Sequence, residues 1–278
     1  MTNLISMAGK GKRFNDQGFI LPKPLVPIQG QPMIYRVIEC LPPADKWIFI
    51  LNQEHIDQYH IDDVIRHRLP QATFTVDHDL LGQASIFCAE PHINPTDEVF
   101  IASCDMAFIY NKNKLQKLKT ENNDLILWTF TQDKRISNNP NAWGYTILEK
   151  DQKTIKGMSV KIPISDNPFN DHVVAATFWI QNAKTLFDSI RLMMAKKITT
   201  NNEYYLDNLP MVYKMMNKKS VIFDVDALIG WGTPSELFLY DRIVHEYRFG
   251  DLSHLDFLTP KQVKYWLEYF QLLQWPKK

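Results

Sequence analysis

The first hundred residues switch repeatedly between two hydrophobic periods, and this alternation narrows the choice of folds more than any other feature of the chain. Asn3 to Ala8 (NLISMA) is a short apolar run halted by Gly9 and reads as a buried strand. Pro32 then stands at the first turn of a stripe formed by Ile34, Val37, Ile38 and Leu41. Its i, i+3, i+4, i+7 spacing is that of an amphipathic helix, closed by Pro42-Pro43. Lys46 to Asn52 (KWIFILN), Ala72 to Asp77 (ATFTVD) and Glu98 to Cys104 (EVFIASC) read as further strands. Helices are expected within His55 to Arg68 and over Gln83 to Glu90. This pattern predicts an α/β fold: a mostly parallel mixed sheet, Rossmann-like, covered by helices on both faces. In such sheets ligands bind beyond the carboxyl ends of the strands. Gly9 to Arg13 leaves the first strand and Asp105 follows the fourth, so both are expected on one crevice.

Further along, Asp124 to Thr131 (DLILWTFT), Trp143 to Glu149 and Val173 to Ile180 (VVAATFWI) read as strands separated by polar, turn-rich inserts. Glu203 to Met216 is expected to be helical and Ser220 to Val225 a late strand. Two helices are expected beyond Pro234: Glu236 to Tyr247, and another from Pro260 to near Trp275. The second would carry an apolar face of Val263, Trp266, Leu267, Phe270 and Leu273. That face would pack onto the rest of the chain or, alternatively, join two copies in a homodimer. The expected organisation is a main domain over 1–240 and a helical C-terminal extension over 241–278.

Composition excludes several classes. Lys plus Arg and Asp plus Glu both total 31, for a net charge of zero. That balance argues against a protein that coats nucleic acid or an anionic membrane. No apolar run approaches the ~20 residues of a membrane span. Cys40, Cys88 and Cys104 are odd in number and widely spaced, fitting neither a disulfide framework nor a zinc site. Reduced thiols and a cytoplasmic location are expected, since Met1 to Ala8 is too short for the apolar core of an export signal.

Chemistry concentrates in a few segments. The first loop, Met7-Ala8-Gly9-Lys10-Gly11-Lys12-Arg13-Phe14, combines two glycines that let backbone N–H groups approach a polyanion with three cations. It fits neither a Walker loop nor a dinucleotide fingerprint, and alone it reads equally as a turn with solvated lysines. Pro22-Lys23-Pro24-Leu25 then holds a lysine on a proline-stiffened rail. Glycine is scarce, ten in all, and Gly9, Gly11, Gly30, Gly82, Gly144, Gly230 and Gly232 fall in or beside the segments singled out here. That concentration favours a ligand site.

Taken in order, Ala8-Gly9-x-Gly11-x-Arg13, Pro22-Lys23-Pro24-Leu25 and Gly30-Gln31-Pro32-Met33-Ile34 resemble the opening of the sugar-phosphate nucleotidylyltransferases. Leu81-Gly82-Gln83-Ala84-Ser85 resembles that family's base-reading segment, and Ser103-Cys104-Asp105 its metal-binding aspartate. Trp143-Gly144-Tyr145, Val160-Lys161, Asn202-Glu203 and Gly232-Thr233-Pro234 follow in the family's order. The resemblance spans roughly residues 3 to 240 and implies a glycosyltransferase-A-like fold of the nucleotide-diphospho-sugar transferase type.

The chemistry it implies is attack by a substrate phosphate on the α-phosphorus of a nucleoside triphosphate, with pyrophosphate leaving. Arg13 would hold the β- and γ-phosphates, and Lys23 would neutralise the α-phosphate. Ala8, Gly9, Gly11, Gly82, Gln83 and Ser103 would bind the nucleotide, and Asp105 would bind Mg²⁺. Gly144, Lys161 and Glu203 would bind a sugar 1-phosphate or another small phosphorylated acceptor. Three of these residues have a plainer reading: Gln83 as a helix cap, Lys161 as a surface lysine, Glu203 as a solvated helix start. Trp143, Phe178, Trp179 and Tyr204 would line the acceptor pocket or belong to the core, while His55, His78 and His172 show no ligand spacing.

Three positions depart from the family pattern. Gly230 stands where a second metal-binding aspartate is common, leaving Asp226 or Asp224 as substitutes, or a single carboxylate as sufficient. Val160 replaces a glutamate, and Ala176 a glycine. The resemblance further implies supply of an activated sugar for surface polysaccharide. The competing readings are a glycosyltransferase of the same fold and a non-catalytic nucleotide-binding regulatory protein.

Overall fold

A computed structural model describes residues 1–77 and 82–273. His78, Leu81 and Trp275 lie outside the described residues. The chain opens with β1 (Thr2–Ser6), α1 (Lys12–Asn15), β2 (Pro27–Ile28), β3 (Gln31–Pro32) and α2 (Met33–Cys40). It continues through β4 (Lys46–Leu51), α3 (Gln53–Tyr59), α4 (Ile61–Arg68), β5 (Thr73–Val76), β6 (Val99–Ser103) and β7 (Met106–Ile109). Then come α5 (Lys112–Thr120), β8 (Leu125–Phe130), α6 (Lys134–Asn138), β9 (Gly144–Leu148), β10 (Ile155–Val160) and β11 (Val173–Ile180). The last elements are α7 (Ala183–Ala195), α8 (Leu209–Met215), β12 (Ser220–Asp224), β13 (Ala227–Gly230), α9 (Pro234–Phe249) and α10 (Pro260–Leu272).

These elements form two compact units. The first gathers Met1–Gly9, Pro42–Cys104 and Lys112–Asp224; the second gathers Lys10–Leu41, Asp105–Asn111 and the chain from Val225 onward. Helix α9 runs unbroken through residue 240.

The first unit is built on one sheet of nine strands among the described residues. Its parallel part runs β6-β1-β4-β5, with Ser6 opposite Ser103 so that the carboxyl ends of β1 and β6 leave the sheet side by side. Strand β11 pairs antiparallel with β6, β8 and β9, and β12 adds parallel to β8. Both faces are covered. On one, Leu4, Ile48, Ile50, Ile101 and Leu127 share a core with Leu186 and Ile190 of α7 and Leu209 and Val212 of α8. On the other, Phe100 meets Trp128 edge-on at 5.2 Å and Trp128 meets Phe223 at 5.0 Å. Arg66 of α4 lies over Phe74, and Lys114 of α5 over Phe223. Two covered faces explain why β8 (LILWTF) is apolar without alternation and buried at every residue.

The second unit has its own small ladder, β7 antiparallel to β13. Helix α2 buries Met33, Ile34, Val37 and Ile38, the stripe read from the sequence. Helix α10, opened by a capping box of Thr259 and Gln262, packs on α9: Phe270 stacks on Tyr247 at 4.3 Å, and Tyr240 meets Trp266 at 5.6 Å. The apolar face of the last helix is therefore spent, at Phe270 and Trp266, within its own unit.

Several elements differ from expectation. The helix expected within 55–68 is two helices, broken where His60 turns left-handed at φ 49°. Gln83–His92 is a 3-10 helix with Pro91 inside it. The helix expected from Glu203 begins only at Leu209. Asn201 and Asn202, both left-handed, make a tight turn that pairs Thr200 with Glu203, and Pro210 suits the first helical turn. Strand β7, directly after Asp105, was hidden by its shortness.

Candidate active site

The second unit carries a charged centre. Lys23 opens a single 3-10 turn, Lys23–Leu25, between two prolines whose rings fix the backbone. Its Nζ donates to Asp105 Oδ2 at 2.7 Å, and the two side chains are only 18 % and 9 % exposed. The β7–β13 ladder sets what surrounds this pair. Gly230 lies opposite Met106, and Trp231 N–H donates to the Asp105 carbonyl at 2.8 Å. Gly232 is thereby pressed against the carboxylate, where an added Cβ would stand 3.0 Å from Asp105 Oδ2 and 3.3 Å from Glu236 Oε2. Thr233 caps α9, accepting from Glu236 N–H at 3.2 Å and donating to Glu236 Oε2 at 3.3 Å. Two carboxylates thus converge on one glycine. Glu236 escaped the sequence reading, although Thr-x-x-Glu is the spacing that folds a glutamate back onto a helix start.

The substitutes expected for the missing aspartate lie elsewhere. Asp226 N–H donates to Ile109, at the far end of the ladder from Asp105. Four residues at ~3.3 Å each put them about 13 Å apart along the strand. Asp224 belongs to the first unit and faces His172 Nδ1 at 3.2 Å, with the Thr129 hydroxyl close to both. His172, read as an unassigned histidine, is therefore held by a carboxylate. In the loop before Lys23, Gly11 is left-handed at φ 64°, and a Cβ there would touch Lys23 Cβ at 3.5 Å. Arg13, on α1, is exposed.

The first unit holds the other candidates. Ala8 is buried, its carbonyl accepting from Asn52 Nδ2 at 3.4 Å, while Gly9 is exposed with open space where a Cβ would be. Ser103 Oγ is buried and has no hydrogen-bond partner among the described residues. Such an atom suits a ligand donor. Gly82, at φ 66°, bridges to Tyr204, and a Cβ added to it would lie 3.5 Å from Glu203 Cβ and from the Tyr204 carbonyl oxygen, so two expected segments meet. Gln83 N–H donates to the Tyr204 carbonyl at 3.1 Å, and its Oε1 accepts from Leu206 N–H at 2.8 Å. With one bond already accepted by its oxygen, the Gln83 amide keeps both N–H donors for a base edge. Glu203 is exposed.

Gly144 and Lys161 are brought together around a residue the sequence reading missed, Asp207. A Cβ on Gly144 would collide with Asp207 Oδ2 and lie 3.2 Å from Val174. Burial pushes the Asp207 carboxyl up to about 6, with the nearby Lys161 charge pulling the other way. Lys161 itself is left-handed at φ 67°; its ammonium donates to the Ala142 carbonyl and lies 5.8 Å from the Tyr205 ring. Burial, helped by Glu203 and Asp207, also raises the Tyr205 phenol. Ala176 sits in a bulge between Val174 and Phe178 at φ 45°, a conformation that glycine adopts freely and alanine does not. Phe178 and Trp179 are core residues, the latter donating to Glu98. No group of three or more metal-ligating side chains occurs among the described residues.

Residues 4–176 match the MobA-like NTP transferase domain. The chain belongs to this family. Among curated relatives, the bifunctional protein GlmU of Thermotoga petrophila is 32 % identical over 124 residues, covering 44 % of this chain and 25 % of the relative. The counterpart from Thermotoga maritima is 33 % identical over the same length. The chain thus matches about a quarter of the length of these relatives. Among solved structures, the nucleoside-diphosphate-sugar pyrophosphorylase from Vibrio cholerae RC9 superposes with a TM-score of 0.69 at 15 % identity, covering 87 % of this chain and all of that one. The inositol-1-phosphate CTP transferase from T. maritima gives 0.67 at 14 %, covering 87 % and 94 %. At these identities the likeness is one of fold. The NTP transferase domain so assigned contains the first loop, Lys23, Asp105, Gly144 and Lys161; Asp207, Gly232 and Glu236 lie beyond it.

Proposed function

We propose that this protein is a Mg²⁺-dependent nucleotidylyltransferase that moves a nucleoside monophosphate from a triphosphate to a sugar 1-phosphate or a related small phosphate and releases pyrophosphate. The observation that carries the reading is the Lys23–Asp105 contact: residues 82 apart in sequence meet at 2.7 Å where both were assigned to one phosphate-transfer centre. Donor and acceptor are both anions, so charge is the main barrier, and catalysis consists of positioning and neutralisation. Lys23, aimed by its prolines, would neutralise the α-phosphate as charge develops, and exposed Arg13 would hold the β- and γ-phosphates. The phosphate that attacks is already ionised at neutral pH, so no protein base is required. Gly82 and the Gln83 amide donor would read the base, and Ser103 Oγ would bond the nucleotide. Gly144, Lys161 and Asp207 would form the acceptor side, with Glu203 nearby in sequence.

The donor set fits magnesium. Asp105 and Glu236 offer hard carboxylate oxygens around Gly232, and one or two carboxylates with substrate phosphates are a usual magnesium environment. When bound, the ion would spread the charge of the reacting phosphates. The balanced net charge supports small anionic substrates over nucleic acid, and three cysteines, odd in number and widely spaced, support a reducing, cytoplasmic setting. No helix of the described residues is long and apolar enough to cross a membrane. Supply of an activated sugar for surface polysaccharide is the pathway the resemblance supports.

The test incubates the folded protein with each of the four nucleoside triphosphates, Mg²⁺ and a panel of sugar 1-phosphates and other small phosphates. Pyrophosphate release with at least one pair is expected, and its absence from all of them overturns the reading. A nucleotide-binding protein without turnover would instead bind a triphosphate tightly and form no product. A glycosyltransferase would hydrolyse or transfer from a nucleotide sugar.

A further inference from the structure

Lys23 and Asp105 carry two assignments that bring an ammonium and a divalent cation to one carboxylate, whose Oδ1 is buried. The lysine is assigned to an α-phosphate and the carboxylate to a divalent cation, yet the ammonium stands at hydrogen-bond distance from Oδ2. A magnesium ion takes oxygen at ~2.0–2.1 Å and demands near-octahedral geometry, so an ammonium and the ion cannot occupy the same lobe of one carboxylate oxygen. On its Gly232 flank Oδ2 is clear only because that residue lacks a side chain, since an added Cβ would lie 3.0 Å away. Little water reaches the pair, at 18 % and 9 % side-chain exposure, so the contact is weakly screened and opposes displacement.

We infer that Lys23 and the divalent cation compete for Asp105 Oδ2, so that the cation is taken up together with the nucleoside triphosphate and not ahead of it. This rests on the function proposed above and specifies the order in which that site fills. A triphosphate offers Lys23 several anionic oxygens in exchange for one carboxylate oxygen. As the ammonium turns to phosphate, Oδ2 becomes available to a cation that the phosphates also bind. Glu236, drawn to the same glycine and held by Thr233, keeps a second carboxylate in place throughout. By linkage, the triphosphate and the cation each tighten the other by the same factor, and such couplings commonly fall between about 5- and 150-fold.

The experiment titrates the full chain with Mn²⁺ alone, reading free Mn²⁺ by electron paramagnetic resonance. Wild type is expected to bind weakly. Lys23→Met and Lys23→Gln are expected to bind at least about 5-fold more tightly, and Asp105→Asn to lose binding in both the wild-type and the Lys23→Met backgrounds. A second readout, the rise in unfolding temperature on adding Mn²⁺, should be larger in the Lys23 variants than in wild type, because a ligand stabilises the state that binds it. If the Lys23 variants are folded and bind Mn²⁺ no more tightly than wild type while Asp105→Asn still weakens binding, competition is wrong and the cation site stands. If Asp105→Asn changes nothing in either background, the assignment of the cation to Asp105 falls, and this inference with it.

Discussion

Each of the two units holds a lysine and an aspartate at its candidate centre, and the pairs behave differently. In the second unit Lys23 and Asp105 touch directly, with each charge answering the other. In the first, Lys161 gives its ammonium hydrogen bond to the Ala142 carbonyl and acts on Asp207 through its field, while burial drives the Asp207 carboxyl towards protonation. The same residue types thus give an exchangeable ion pair in one place and a desolvated acid in the other. Both aspartates are buried, and direct contact with a cation decides which. An exchangeable pair suits a centre that must hand its charges to phosphates and a metal. A buried acid packed on glycine suits a wall that fixes the shape of an acceptor site.

The largest expected effect tests the first half of that contrast. Lys23→Ala should lower kcat for pyrophosphate release by ~10²–10³-fold, the loss typical of one preorganised donor. Lys161→Ala should act mainly through the KM of the acceptor, by roughly 10-fold or more. A Lys161 variant that lost kcat as deeply as the Lys23 variant would erase the distinction.

Next comes the pH dependence of Asp207. Its folded value, about 6, lies above the unfolded 3.8, so the folded state binds the proton more tightly. Stability attributable to this group is full below pH 3.8, falls as pH rises through 6, and is constant and lower above. About two pKa units correspond to ~3 kcal/mol. Denaturant unfolding should therefore show wild type losing up to about 3 kcal/mol relative to Asp207→Asn between pH 4 and pH 7. A pH-independent difference would mean that Asp207 titrates normally.

Gly144→Ala should destabilise by about 1–3 kcal/mol, because its methyl would press on a buried carboxylate and on Val174, leaving no direction for relief. Unfolding temperature reads this directly, and an unchanged value would show that the wall yields. Smallest is Ala176→Gly. Releasing a left-handed alanine should stabilise by up to ~1 kcal/mol, partly offset by the entropy of the added glycine, and a fall in unfolding temperature would contradict the strain.

Most of the sheet could be read from the chain. The apolar runs at β1, β4, β6 and β8 and the stripe of α2 stand where their periods put them, since burial on a sheet or helix face is a local pattern. Helix α7 escaped the sequence reading although Ala183, Leu186, Phe187 and Ile190 carry the same i, i+3, i+4, i+7 stripe, whereas strands β10 and β13 left no comparable signal. The false helix start at Glu203 came from ignoring the Asn201-Asn202 turn chemistry, which favours left-handed backbone over helical continuation. At the site, Lys23 and Asp105 were legible as ordered motifs and Gly232 as part of one. Asp226 was misplaced because nearness in sequence says nothing about which end of a ladder a residue occupies.

The sequence by itself determined the alternation of strands and helices, the rigid lysine rail and the glycines that let backbone come close. Each depends on neighbours within a few residues, where dihedral preference and hydrophobic period act. Only the tertiary structure decided that Glu236 accompanies Asp105 and that Asp207 lies buried beneath Gly144 beside Lys161. Those pairings arise from strand register and burial between distant segments, and both the electrostatics of a carboxylate and the room beside a glycine are set by whatever the fold brings to them.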